Sequence, residues 1–186
     1  MTKTLSLLLA SVFAMGSAFA QTVKLQTTEG DIRIELNAEK APKSVANFLQ
    51  YVKAGHYNGV IFHRVIPNFM VQTGGYDAKL NQRPTKAPIP LESGNGLSNL
   101  RGTLAMARTG DPHSATSQFF INVVDNFFLD ADVGRNTGYA VFGQVVEGME
   151  VVDKIRAVDT KAAGVHENLP IKPIFITKAV IEPPKK

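Results

Sequence analysis

Polar and apolar residues alternate over Thr22 to Thr27 and again over Asp31 to Leu36, with Glu29-Gly30 between the two runs. A period of two on either side of a turn pair predicts a β-hairpin. The period then changes. Val45, Phe48, Leu49 and Val52 recur at i, i+3, i+4 and i+7 behind Pro42, and Gly55 follows, which predicts a helix with one apolar face. Further extended segments are expected near residues 60–66, 69–73, 102–108, 118–123, 140–146 and 174–181, and a second helix near 148–158 with Met149, Val152 and Ile155 on its buried side. The pattern thus reads as mainly β, with eight short strands and two helices. So little helix-strand alternation argues for an antiparallel sheet, and periodicity leaves a barrel and a sandwich equally open. Residues 76–101 and 131–138 are rich in Gly, Pro and Asn and read as long loops, which in a compact domain usually serve function or move.

Two of the extended runs carry more chemistry than a core strand needs. In the stretch Phe62 to Gly75, alternation puts Met70 and Gln72 on one face and Phe69 and Val71 on the other, behind a Pro67-Asn68 turn. In the run Ser117 to Asn122, Phe120 shares a face with Gln118 and Asn122, while Phe119, Ile121 and Val123 form the face a core wants. Each run sets an apolar side chain beside an amide, and Arg64 adds a cation. Large apolar groups among fixed hydrogen-bond donors suit a ligand groove.

Composition narrows the setting. The chain has 186 residues, 44% hydrophobic and 19% charged, enough for one globular domain with an ordinary core. Residues 1–20 read as a cleaved signal peptide: Lys3, an apolar stretch from Leu5 to Phe13, then Ala18-Phe19-Ala20 as the small-x-small cleavage pattern. The domain is therefore expected to span 21–186. The apolar stretch, interrupted by Ser6 and Ser11, is well short of the roughly 20 residues of a membrane-spanning helix, so stable membrane association is not expected. Export of a chain without cysteine leaves its stability to packing alone, and a bacterial periplasm fits best. The net charge of +4 is small and scattered, with no basic run carrying interleaved aromatics, which gives no ground for nucleic-acid binding.

Familiar covalent and metal chemistries find no support. There is no cysteine, no serine in a Gly-x-Ser-x-Gly elbow, and no metal-ligand spacing among His56, His63, His113 and His166. Gly94-x-Gly96 lacks the rest of a nucleotide fingerprint, so no cofactor and no metal are expected.

Four blocks, in order, resemble the cyclophilins, the family of peptidyl-prolyl cis-trans isomerases. The pattern Phe-His-Arg-x-Ile-x-x-Phe-Met-x-Gln-x-Gly runs from Phe62 to Gly74. Leu104-Ala105-Met106-Ala107, Ser117-Gln118-Phe119-Phe120-Ile121 and Val141-Phe142-Gly143 follow, within a similarity from about Val23 to the C-terminus. The resemblance implies a closed eight-stranded antiparallel β-barrel capped by two α-helices, and rotation about X-Pro bonds without covalent chemistry. It implies that Arg64 donates to the prolyl nitrogen, that Gln72 orients Arg64 and the substrate backbone, and that Phe69, Met70, Phe120 and Leu129 hold the proline ring. Ala107 and Gln118 match groove-lining positions, and Tyr139 stands where many relatives carry histidine. The resemblance also counts Phe128 among the substrate-binding residues, where many relatives carry a tryptophan whose N–H contacts cyclosporin, so weak cyclosporin binding is expected. Arg108 stands where those members usually have asparagine, and His63 reads as structural rather than catalytic. The partners implied are proline-containing peptides and unfolded protein clients, including exported proteins that need folding, with the chain acting as a monomer. Two rival readings remain: a module that binds proline segments without accelerating them, and a barrel that stores a small apolar ligand. Arg64 beside Gln72 favours the enzyme, because apolar pockets and amides would suffice for binding alone.

Overall fold

A computed structural model describes residues 21–132 and 134–183, so the expected signal peptide at 1–20 lies outside the described residues. The chain opens with the expected hairpin, β1 (Thr22–Thr27) and β2 (Gly30–Leu36), paired from Thr22↔Glu35 to Thr27↔Gly30. Helix α1 (Pro42–Lys53) starts on its proline and buries Val45, Phe48, Leu49 and Val52, the positions its periodicity marked. Next come β3 (Val60–Ile61), β4 (Arg64–Ile66), β5 (Met70–Thr73), β6 (Thr103–Met106) and β7 (Phe119–Asn122). A single 3-10 turn at Phe127–Leu129 precedes β8 (Val141–Glu147) and α2 (Met149–Arg156), which buries Val151, Val152 and Ile155 and leaves Met149 only partly covered. The chain ends with β9 (Thr160–Ala163), β10 (His166–Pro170) and β11 (Phe175–Glu182).

Nine strands form one sheet in the order β3-β11-β1-β2-β8-β6-β7-β5-β4, every neighbouring pair antiparallel. This corrects the expectation of a closed eight-stranded barrel: the ladder is open between β3 and β4. The cause is a change of partner within the segment expected as one strand over 60–66. Phe62 donates its N–H to Ile174 O, beside β11, whereas His63 donates its N–H to Gln72 O in β5. The chain steps from one edge of the sheet to the other at Phe62-His63, and the continuous ladder stops there. Alternate residues of every long strand still face one centre. Val23, Leu25, Ile32, Ile34, Val71, Leu104, Phe119, Ile121, Phe142 and Ile176 are all buried in a single cluster with the apolar faces of both helices, which requires the sheet to curl around it. Tilted and edge-on ring contacts at 5.3–5.5 Å link Phe48, Tyr57, Phe119 and Phe142 at the middle of that core.

The hairpin of β9 and β10 had no expectation behind it. It carries no apolar alternation and stays half-exposed or exposed apart from Pro170, so periodicity was silent. The available signal was Gly164-Val165, a Gly-X pair with Gly164 at φ +59°, which suits a two-residue hairpin loop.

Candidate active site

Strand register assembles the groove. Arg64 pairs with Gln72, Gln72 with Phe120, Phe120 with Ala105, and Ala105 with Val141, so five residues from five neighbouring strands lie in one row. Directly paired residues point to the same face of a sheet, and this row faces away from the main core. Met70, Ala105, Phe120, Leu129 and Val141 form a second, smaller apolar cluster beneath it, with Ile66, Phe69, Leu97, Ala107 and Tyr139 packed against its edge. Above that cluster opens a pocket of about 430 Å³.

The expected site residues meet here with one exception. Arg64, Gln72, Phe69, Met70, Ala107, Gln118, Phe120, Leu129 and Tyr139 all line the pocket. Phe128 does not; it stands at the rim, 67% exposed, stacked on Phe69 with ring centres 5.6 Å apart. Phe69 also departs from the expected face. It precedes β5 in the turn after Pro67, where alternation no longer governs direction, and it joins the groove cluster instead of following Val71 into the core.

Polar groups ring the apolar floor in a defined order. The exposed Arg64 guanidinium donates from Nη1 to Gln72 Oε1 at 3.4 Å, and Gln72 Nε2 donates to Gln118 Oε1 at 2.9 Å. Gln118 is brought close by Gly75, where a Cβ would lie 2.7 Å from the Gln118 side chain. Its strand is anchored by the buried Tyr57 hydroxyl, which donates to Ser117 O at 2.9 Å. At the opposite end Arg108 lies 4.5 Å over the Tyr139 ring while donating to Gly138 O and Thr137 Oγ1. Arg108 is thus committed to the wall, whereas among the described residues the exposed Arg64 has the long hydrogen bond to Gln72 and no other.

Several lining residues were missed in the sequence. His63 and Tyr76 lie at the Arg64 end with ring centres 4.7 Å apart, and the β9–β10 hairpin adds Val165, His166, Glu167 and Asn168 as a side wall. Burial, then the charge of neighbouring His166, pushes the His63 imidazole down to about 4. It is neutral near pH 7, and its buried Nδ1 has no hydrogen-bond partner among the described residues. The described residues contain no cluster of three or more His, Cys, Asp or Glu that could hold a metal ion. What the arrangement can do is hold a small apolar ring on the floor while presenting a guanidinium and two amides to the polar groups beside it.

Residues 22–181 match the family described as cyclophilin type peptidyl-prolyl cis-trans isomerase. A peptidyl-prolyl cis-trans isomerase of Acinetobacter baylyi is 52% identical over 183 residues, 98% of this chain and 97% of that one. Peptidyl-prolyl cis-trans isomerase B of Escherichia coli is 51% identical over 161 residues, 86% of this chain and 98% of that one. A crystal structure of a cyclophilin type peptidyl-prolyl cis-trans isomerase of Cryptosporidium parvum, obtained in the presence of the dipeptide Ala-Pro, is similar with a TM-score of 0.72. It is 28% identical and covers 88% of this chain and 99% of its own.

Proposed function

The chain belongs to the cyclophilin-type peptidyl-prolyl cis-trans isomerases and is an isomerase enzyme, and from that premise we propose that the groove beside Arg64 turns X-Pro bonds in unfolded, exported proteins. The observation that carries this reading is the exposed guanidinium of Arg64 lining a pocket with an apolar floor, hydrogen-bonded among the described residues to Gln72, which in turn donates to Gln118. The barrier to peptide rotation, about 18–20 kcal/mol, arises from conjugation of the nitrogen lone pair with the carbonyl. An N–H directed at the prolyl nitrogen as it becomes pyramidal weakens that conjugation and asks for no proton transfer, nucleophile or metal. Shortening an exchange of tens to hundreds of seconds to milliseconds takes four to five powers of ten, or roughly 5–7 kcal/mol. A hydrogen bond from a charged donor supplies roughly 1.5–3 kcal/mol of this, so Arg64 needs help. The help is positional. Phe69, Met70, Phe120 and Leu129 hold the proline ring while the carbonyl side turns, and Gln72 keeps both Arg64 and the substrate backbone in line. Proline peptides as ligands are in keeping with the Ala-Pro present in the crystals of the Cryptosporidium parvum relative.

The finer parts of the reading concern setting and inhibitor. Removal of residues 1–20 would release the domain to the periplasm as a monomer, and Phe128, which has no N–H to donate, would leave cyclosporin weakly held. NMR exchange spectroscopy on a short Ala-Pro peptide tests the activity: line broadening or exchange peaks at catalytic amounts of protein are expected, and an unchanged exchange rate would refute the reading. Fractionation of cells expressing the full chain, with N-terminal sequencing of the product, tests the setting. A product beginning at Gln21 in the periplasmic fraction is expected, and an uncleaved cytoplasmic product would contradict it.

A further inference from the structure

Three walls of the proline pocket stand outside the strand ladder. Phe69 sits in the turn before β5, Leu129 in the 3-10 turn, and Tyr139 in the loop before β8. Main-chain bonds hold them only in part, through Val123 N–H to Phe69 O at 3.1 Å, and Leu129 N–H to Asn126 O and Tyr139 N–H to Leu129 O, both at 2.9 Å. Behind them lies a chain of three buried amides, Asn99, Asn122 and Asn126, each 2% exposed or less. Asn126 Nδ2 donates to Phe69 O at 2.9 Å and to Asn122 Oδ1 at 2.8 Å. Asn122 Nδ2 donates to Asn99 Oδ1 at 3.1 Å and to Thr103 Oγ1 at 3.0 Å. Asn99 Nδ2 donates to Asp130 Oδ1 at 2.9 Å and reaches Tyr139 O at 3.5 Å, while Asn99 O accepts the Asn126 N–H at 2.8 Å.

Burying three amides behind an apolar pocket is costly unless their donors are used, and here each Nδ2 makes two bonds. An all-apolar backing would have left Phe69 O with fewer donors and the three walls without a common anchor. The series also passes through Asn122, which lies on β7 on the same face as Phe120, so the irregular walls are referenced to the strand that carries the floor.

We propose that Asn99, Asn122 and Asn126 are positioning residues of the isomerase, setting Phe69, Leu129 and Tyr139 against Phe120 so that the pocket is formed before the proline ring arrives. This rests on the reading of the groove as the catalytic site. The amides touch no substrate; they act on the shape that holds the ring. That shape binds the ring in the ground state and keeps it still while the carbonyl side turns, so weakening it raises KM and also takes part of the positional gain from kcat. Arg64, by contrast, acts on the twisted state and its loss appears in kcat.

The test is the kcat and KM of Asn126→Ala for an Ala-Pro peptide, measured well below its melting temperature, beside the intact enzyme and an Ile176→Val control of comparable stability loss in the far core. A kcat/KM lowered by roughly threefold to tenfold, with a raised KM as part of that loss, and a control with intact kinetics, are expected from the loss of hydrogen bonds of ordinary strength. Unchanged KM in a folded Asn126→Ala protein, or a fall in kcat alone, would overturn the proposal. Should that variant not fold, Thr103→Val removes one acceptor at the far end of the series, outside the pocket, and a smaller rise in KM is expected; no rise would overturn the proposal equally. An intact enzyme without activity would instead refute the function itself, before any variant is compared.

Discussion

Strands β5, β6 and β7 send alternate residues into two apolar clusters on opposite sides of the same sheet. On one side Val71, Leu104, Met106, Phe119 and Ile121 join the main core, which both helices close. On the other side Met70, Ala105 and Phe120 meet Leu129 and Val141 beneath the groove, where Phe69, Ala107 and Tyr139 remain partly open. The core side is sealed by apolar residues from both helices; the groove side ends in Gln72, Gln118 and the exposed Arg64. One alternation rule therefore serves stability on one face and chemistry on the other, and neighbouring phenylalanines, Phe119 and Phe120, belong to different economies of the molecule. Substitutions on the two faces should separate into losses of folding and losses of turnover.

The largest effect is expected from Phe119→Ala, at about 3–5 kcal/mol of unfolding free energy by urea titration, with the turnover of the remaining folded protein nearly intact. Phe120→Ala, with fewer core neighbours to lose, should cost less stability and more activity. Equal losses of both kinds for the two variants would break the division. The seam between the faces is expected to respond to acid. His63 is held neutral at about 4 against an ordinary 6.5, so the unfolded chain takes up a proton in that window and the folded chain does not. Stability should fall as pH drops from 6.5 to about 4, by at most roughly 3 kcal/mol from this residue, and His63→Gln should flatten that slope in urea midpoints. A slope unaltered by the substitution would move the acid sensitivity elsewhere. On the groove face alone, Gln72→Ala removes a neutral relay and should lower kcat/KM by roughly twofold to tenfold with little change in melting temperature. The smallest effect is expected at the rim, where Phe128→Trp adds one N–H donor: cyclosporin should bind roughly twofold to tenfold more tightly in titration calorimetry, while peptide turnover barely changes.

The division between the faces was legible in residues that sit inside strands. Alternation alone separated Phe119 and Ile121 from Phe120, and Val71 from Met70, because a two-residue period holds wherever the ladder is regular. It misled at Phe69, one residue before β5, where a turn sets the direction. The break between β3 and β4 was hidden because it depends on which distant strand each N–H meets, Ile174 for Phe62 and Gln72 for His63, and no local pattern records partners. The β9–β10 wall has no apolar stripe to betray it. Asn122 shows in the sequence as an amide on the face of Phe120; only the fold joins it to Asn99 and Asn126 and links the series to Phe69 O and Asp130. The roles carried by Arg64, Gln72 and Phe120 were visible only as a joint pattern, since each alone is commonplace on a surface or in a core.

The central claim, that the open guanidinium on the groove face drives the rotation while the core face merely holds it in place, is tested most directly by exchange spectroscopy on an Ala-Pro peptide with Arg64→Ala beside the intact enzyme. The account expects kcat to fall by roughly tenfold to 150-fold, the equivalent of a charged hydrogen bond, with the melting temperature of this exposed position unchanged. Equal acceleration by both proteins would contradict it.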